Sequence, residues 1–417
     1  MGAQPGRNPG VTRLCRRALL WGALLLGSAP AAALFTRTEL ERIDHEPLLD
    51  SEYFLDLLSF SYPVIWDDLW HASTVPAYRI NAASLDCCDL MIRQELRLKK
   101  SLTPSLEFKF RLLQDEDKVH RDFHYQLELE KKLWRGWSAS VLGEPTFRKE
   151  DSDIGFGLAY EQSRAWRAEA RHTFVDFNFN KRNSTSRSYD AYPATDEFSI
   201  DARAGPDWRA SAYLEIDSPL RLQIPDENRT FSYRRTTARL RLRREPARRF
   251  SYMAGYGYEF EAKGDVFDPL PANKISLSAR RQAHQVLAAL EGRVTDRDRL
   301  EAGQAFLLRA ARADNANDGD AGIFYSRWEA QPYARWRREV KEWLTTELAA
   351  FLSFGENRQR GAKNAVTLSS RLAEAKLGAG TDFVFGASGR IGLYGAFDLD
   401  GPGHLWDGGN IRAMFFF

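Results

Sequence analysis

The segment Arg239-Leu-Arg-Leu-Arg243 carries guanidinium groups at every second position. In an extended chain Arg239, Arg241 and Arg243 share one face, and a row of fixed positive charge attracts carboxylate and phosphate groups. A turn centred on residue 247 would set Gly255, Met253 and Ser251 opposite them, too small to cover the charge. Glu215 and Asp217 on the preceding segment are the acids placed to neutralise it. A second cluster lies between Gln114 and His124, with Asp115, Asp117, His120, Asp122 and His124. Carboxylates beside histidines are the makings of a general base. No hydrolase signature accompanies them, and we expect no catalytic residue there. Asp314, Asn315, Asn317, Asp318 and Asp320 offer the oxygen ligands calcium uses. Asp314, Asp318 and Gly319 fit the first, fifth and sixth positions of a calcium loop, but Ala316 and Tyr325 stand where the third and twelfth ligands belong. Asp314, Asp318 and Asp320 are thus an incomplete calcium site, and we expect no resident metal. Tyr189, Tyr192, His404, Trp406 and Asp407 combine aromatic faces with polar groups, as sugar-stacking surfaces do. Phosphate-cradling loops, dinucleotide fingerprints, zinc spacings and nucleophile elbows are missing, so no cofactor is expected.

The segments holding these residues alternate with a period of two. Leu106, Phe108, Phe110 and Leu112 face one way, and Glu107, Lys109 and Arg111 the other. Phe123, Tyr125, Leu127 and Leu129 repeat the pattern against His124, Gln126, Glu128 and Glu130. Tyr252, Ala254, Tyr256, Tyr258 and Phe260 do so against Met253, Gly255, Gly257, Glu259 and Glu261. Strands with one apolar and one charged face separate an apolar medium from water. The alternation runs from about residue 91 to the end, with no long helical period in between.

Composition narrows the class. Lys+Arg total 59 against 57 Asp+Glu, a net charge of +2, which is too balanced for a nucleic-acid binder. Mean hydropathy is −0.47, which excludes a bundle of membrane helices but not a β-barrel, whose strand signal is weak. The first 33 residues have the pattern of a secretory leader. Arg7, Arg13, Arg16 and Arg17 precede a short apolar run, and Ala31 to Ala33 offer a cleavage site. Its removal would leave 55 basic and 57 acidic side chains, a charge of −2. Residues 34–75 form a distinct N-terminal segment, periplasmic or plug-like, with a short amphipathic helix expected over 46–60. Cys87 and Cys88, being adjacent, are expected as reduced thiols.

Links between strands alternate between short and long. Short ones are expected near 100–104, 133–135, 163–165, 205–206, 245–249, 294–298, 338–341 and 387–389. Long polar ones are expected at 114–121, 148–152, 178–196, 217–230, 263–279, 313–321, 356–369 and 399–409. This spacing gives about 17 strands, and a further one near 76–84 makes the even number that closed barrels favour. We expect an all-β fold, an antiparallel transmembrane barrel of about 18 strands over residues 76–417, with 16 as the alternative.

The chain ends Ile411-Arg-Ala-Met-Phe-Phe-Phe417, with Ile411, Ala413, Phe415 and Phe417 on one face. With the leader and the long alternation, this ending resembles the bacterial outer-membrane β-barrel superfamily, without pointing to a subfamily. The resemblance implies an outer-membrane location, contact with outer-membrane lipid, and recognition of the terminal phenylalanine by the barrel-assembly machinery. Trp137, Trp166, Trp208, Trp328, Trp336 and Trp343 lie near expected strand ends, as an interfacial girdle requires. Inside, a turn centred on residue 102 would pair Arg97 with Glu107 and Glu95 with Lys109, and Glu161 would face Arg167. A charged, water-filled lumen would pass hydrophilic solutes, with a preference for anions through Arg239, Arg241 and Arg243, or an exported polysaccharide handed over by periplasmic partners. The alternatives are an enzyme acting at the extracellular rim and a barrel with a filled lumen.

Overall fold

In the computed structural model, the residues described are 77–85, 89–116, 121–144, 152–162, 166–177, 188–191, 193–204, 207–244, 250–267, 275–315, 321–361, 367–385, 389–399 and 406–416. The leader, the expected helix at 46–60, Cys87, Cys88, Asp117, His120, Tyr192, Asp318, Asp320, His404 and Phe417 lie outside them.

The first strands are β1 (Ala77–Leu85), β2 (Asp89–Thr103), β3 (Leu106–Glu116), β4 (Arg121–Lys132), β5 (Trp137–Glu144), β6 (Asp153–Gln162) and β7 (Trp166–Phe174). A short β8 (Ser188–Ala191) precedes β9 (Ala194–Ala204), β10 (Trp208–Ile224), β11 (Arg229–Arg244) and β12 (Phe250–Phe267). Five long strands follow: β13 (Ile275–Arg293), β14 (Asp298–Asn315), β15 (Ala321–Lys341), β16 (Leu344–Gly361) and β17 (Thr367–Phe385). β18 (Gly389–Asp398) and β19 (Trp406–Phe416) complete the series.

All pairings are antiparallel, and they join chain neighbours except around β8 and at the closing pair β1–β19. β7 pairs directly with β9, while β8 continues the line of β9 along the far end of β10. β1 pairs with β2 on one side and with β19 on the other, Ala77 opposite Phe416 and Leu85 opposite Gly408. The nineteen strands less β8 therefore make a ring of 18. Closure matters in a bilayer core, where unpaired backbone groups at a sheet edge find no water.

One face points outward all round the ring and is apolar. Leu129, Val141, Phe156, Phe198, Leu240, Val286, Leu308, Leu352, Phe354, Leu393 and Ile411 are all exposed on it. The opposite face carries the charges, many of them buried: Glu107, Glu128, Glu130, Asp201, Glu301, Arg327, Glu329, Arg335, Glu347 and Asp382. Soluble cores are arranged the other way round, so the apolar face meets lipid.

Several expected loops are strand instead. β10 runs to Ile224 and β11 starts at Arg229, so the long link expected at 217–230 shrinks to one 3-10 turn, Pro225–Glu227. The polar residues there are rim strand, whose backbone pairs in the ladder as well as any apolar sequence does. A bulge between Asp217 and Leu220 shifts the register and turns Leu220 inward, opposite Tyr233. At the other end the turns are tight. Gly136 has φ +86°, and a Cβ there would come within 2.2 Å of the Glu161 carbonyl oxygen. Its own carbonyl accepts a 2.9 Å bond from the Glu161 amide, so the turn between β4 and β5 docks on β6. Trp137, Trp166 and Trp208 begin strands at this end, with Tyr160 between the first two at ring distances of 4.9 and 5.0 Å. Trp328 departs from that girdle and lies well inside β15, towards the opposite rim.

Candidate functional site in the lumen wall

The inward face of β9–β11 collects positive charge. Arg239, Arg241 and Arg243 lie opposite Tyr213, Ser211 and Arg209 on β10. On β12 they face Gly257, Gly255 and Met253, one step along from the expected Gly255, Met253 and Ser251. The shift arises because the pairing is centred on residue 248 rather than 247. A two-residue slip keeps every side chain on its face, so the strip still meets small neighbours.

The expected neutralising acids are engaged elsewhere. Glu215 and Asp217 stand opposite Thr237 and Arg235, not the ladder. Arg235 lies 3.8 Å from both Glu215 and Glu259. The Tyr213 hydroxyl donates to Glu215 at 2.5 Å and reaches Glu197 at 3.1 Å. Arg243 comes within 4.0 Å of Glu291. Arg239 is exposed and makes no ion pair among the described residues. Two further arginines join the strip: Arg203 of β9 faces Arg209, which is held by Asp201 at 2.8 Å. Sequence reasoning passed over both because each is a single arginine with no other at i±2, and only the lateral pairing of β9, β10 and β11 puts them in one row with Arg243.

Across the barrel the wall is packed and balanced. Glu329, fully buried, accepts from Arg327 at 2.8 Å, Gln331 at 2.7 Å and Ser353 at 2.5 Å. Arg335 bridges Glu301 at 2.8 Å and Glu347 at 3.4 Å, and Arg337 holds the second oxygen of Glu347 at 3.0 Å. Arg390 grips Asp382 at 2.5 Å. Between these groups Leu287, Ala305, Tyr333, Ala349, Phe351, Tyr394 and Ala396 form an apolar cluster on the inward side, with Tyr333 stacked on Phe351 at 5.8 Å. Solvent therefore reaches the interior along β11 and β12, where Arg235 and Glu259 are more than a third exposed, and not along β14–β17.

The pairings expected between β2 and β3 are overturned. Arg97 faces Arg111 and not Glu107, and Glu95 faces Leu113 and not Lys109. The turn lies later than residue 102: Thr103 Oγ1 accepts from the Leu106 amide at 3.0 Å, fixing a tight link at 104–105, with a register shift between Ser101 and Thr103. Neutralisation is diagonal or one strand over. Glu107 takes Lys99 at 2.7 Å and Lys132 at 3.0 Å, while Lys109 takes Glu128 at 3.1 Å and also Glu130. Glu161 does lie opposite Arg167, 3.5 Å away.

Of the rim residues, Asp115 stands opposite Asp122, and His124 opposite Leu113. Asp314 is the penultimate residue of β14 and is held by Arg312 at 2.7 Å, and no group of three metal-ligating side chains occurs among the described residues. Tyr189 donates to Asp176 at 2.7 Å. Ile411, Ala413 and Phe415 share the outward face of β19, against β1 and β18.

Neither a protein-family model nor a curated protein matches the sequence. Solved structures do. In-vitro folded OmpT, an outer membrane protein of Vibrio cholerae, is 12% identical with a TM-score of 0.37, covering 82% of this chain and 97% of its own. OccK11 of Pseudomonas aeruginosa is 12% identical with a TM-score of 0.38 over 82% and 94% of the two chains. A bacterial polysaccharide outer membrane secretin is 12% identical with a TM-score of 0.39 over 82% and 98%. Superpositions of this quality say nothing of a shared activity. The chain's own pairing and apolar exterior give the architecture: a closed antiparallel barrel of the outer-membrane type, whose place is that membrane.

Proposed function

We propose that the barrel is a channel for polar solutes across the outer membrane and that it admits anions before cations. The observation behind this reading is the inward strip of Arg203, Arg239, Arg241 and Arg243, set beside Gly255 and Gly257, on the side of the lumen that solvent reaches. Fixed charges lining a pore set its ion selectivity. The opposite wall supports the reading by narrowing the passage, because the Tyr333–Phe351 cluster occupies space that an evenly polar wall would leave to water. A carboxylate- or phosphate-bearing solute, or an acidic polysaccharide passed on by a periplasmic partner, would meet the strip in transit.

The test is planar-bilayer recording of refolded protein under a potassium chloride gradient. Open steps should show an anion-selective reversal potential, and Arg239→Gln/Arg241→Gln/Arg243→Gln should move it towards the cation side. Silent bilayers from correctly folded protein, or a reversal potential unmoved by the triple variant, would refute the proposal.

A further inference from the structure

The outward face of β13–β16 changes character beyond the apolar belt. Laterally paired residues there run Arg234, Ala262, Arg280, Arg312, Phe324 and Arg360 from β11 to β16, so four of six outward positions in this row are arginine. Arg358 stands one position nearer the belt, opposite Ser326. The row lies at the rim away from the chain's last residues, the end carrying the longer links.

Arg280 and Arg312 are directly opposed on this outer surface. Like charges face to face across a strand pair are destabilising unless an anion sits between them. The local acids do not resolve the excess. Asp314 holds Arg312 at 2.7 Å, yet the Arg312 side chain remains 66% exposed. Glu356 holds Arg358 at 2.9 Å, and that side chain remains 62% exposed. Arg280 is exposed and makes no ion pair among the described residues.

Below the row a groove of about 480 Å³ opens in the same outer surface. Its apolar part is Leu308, Ala310 and Trp328, and its polar part includes Gln282, His284, Glu356 and Arg358. Leu308 and Trp328 pair laterally and are both exposed, continuing the belt through the next outward row, where Ala330 faces Phe354. A soluble anion has no use for that apolar floor, and an uncharged lipid has none for the arginines.

We infer that this groove binds the phosphorylated headgroup of an outer-leaflet lipid, with phosphate between Arg280, Arg312 and Arg358 and acyl chains along Leu308, Trp328 and Phe354. The site is on the lipid side of the wall and does not depend on the channel reading.

The test titrates diphosphoryl lipid A, its dephosphorylated counterpart and inorganic phosphate onto the barrel in nonionic detergent, with native mass spectrometry as readout. The phosphorylated lipid should be retained. Arg280→Gln/Arg312→Gln/Arg358→Gln should weaken its retention on the order of 100-fold, at roughly fivefold per cation removed near an anionic headgroup. Arg338→Gln/Lys341→Gln, at the other end of β15, should leave retention unchanged. If the triple variant fails to give a folded barrel resistant to cold detergent, Arg280→Gln alone should still weaken binding roughly fivefold. Equal retention of the dephosphorylated lipid, equal occupancy by inorganic phosphate, or undiminished binding by the folded arginine variants would overturn the inference.

Discussion

Arg335 and Glu301 meet directly across β15 and β14, their charged atoms 2.8 Å apart, and only 2% of the Arg335 side chain is exposed. The same guanidinium reaches Glu347 on β16, so one cation ties three strands from inside the ring. Arg335→Met should leave buried Glu301 without its cation and Glu347 with Arg337 alone, and destabilise the barrel by about 3–5 kcal/mol. Arg335→Lys keeps the charge but loses the fork and should cost less. Urea unfolding in micelles measures both, and equal losses for Met and Lys would contradict this account.

The two faces of β11 make opposite predictions for neighbouring residues. Leu240 points to lipid and is 54% exposed, so Leu240→Arg should cost about 2–4 kcal/mol if it lies near the bilayer midplane. Arg239→Gln, one residue away on the inward face, should change stability by less than about 0.5 kcal/mol. The comparison uses the same unfolding measurement.

Phe351 fills the inward cluster against Tyr333. Phe351→Ala should destabilise by about 3–5 kcal/mol through cavity formation. Under the channel reading it should also raise single-channel conductance, because it removes bulk from the narrowed wall. Unchanged conductance in a folded, conducting variant would place the passage away from this cluster.

Gly136 holds a left-handed backbone against the Glu161 carbonyl. Gly136→Ala should therefore cost upwards of about 1–2 kcal/mol, since the strain of a positive φ adds to the backbone clash. Thermal unfolding of the detergent-solubilised variant checks it.

The alternation of Leu106 to Leu112 and of Phe250 to Glu261 made the class of fold legible, because a period of two assigns each residue to a face whatever the partner strand. The even strand number of closed barrels called for one more strand near 76–84, and β1 at Ala77–Leu85 supplies it. The inward position of Arg239, Arg241 and Arg243 follows from the period of two. What the alternation does not contain is register. Arg97 meets Arg111 because a hydroxyl-capped link at Pro104-Ser105 moves the turn, and the balance of Glu107 depends on Lys132, a strand away. The basic row on the outer wall was equally hidden, since Arg234, Arg280, Arg312 and Arg360 are scattered along the chain and become neighbours only through pairing between strands. Away from the bulge in β10, sequence by itself determined which face of a strand meets lipid, for that is a local property of side-chain spacing. The tertiary structure decided which charges stand beside one another, because lateral contacts are set by turns and bulges that join residues far apart in the chain.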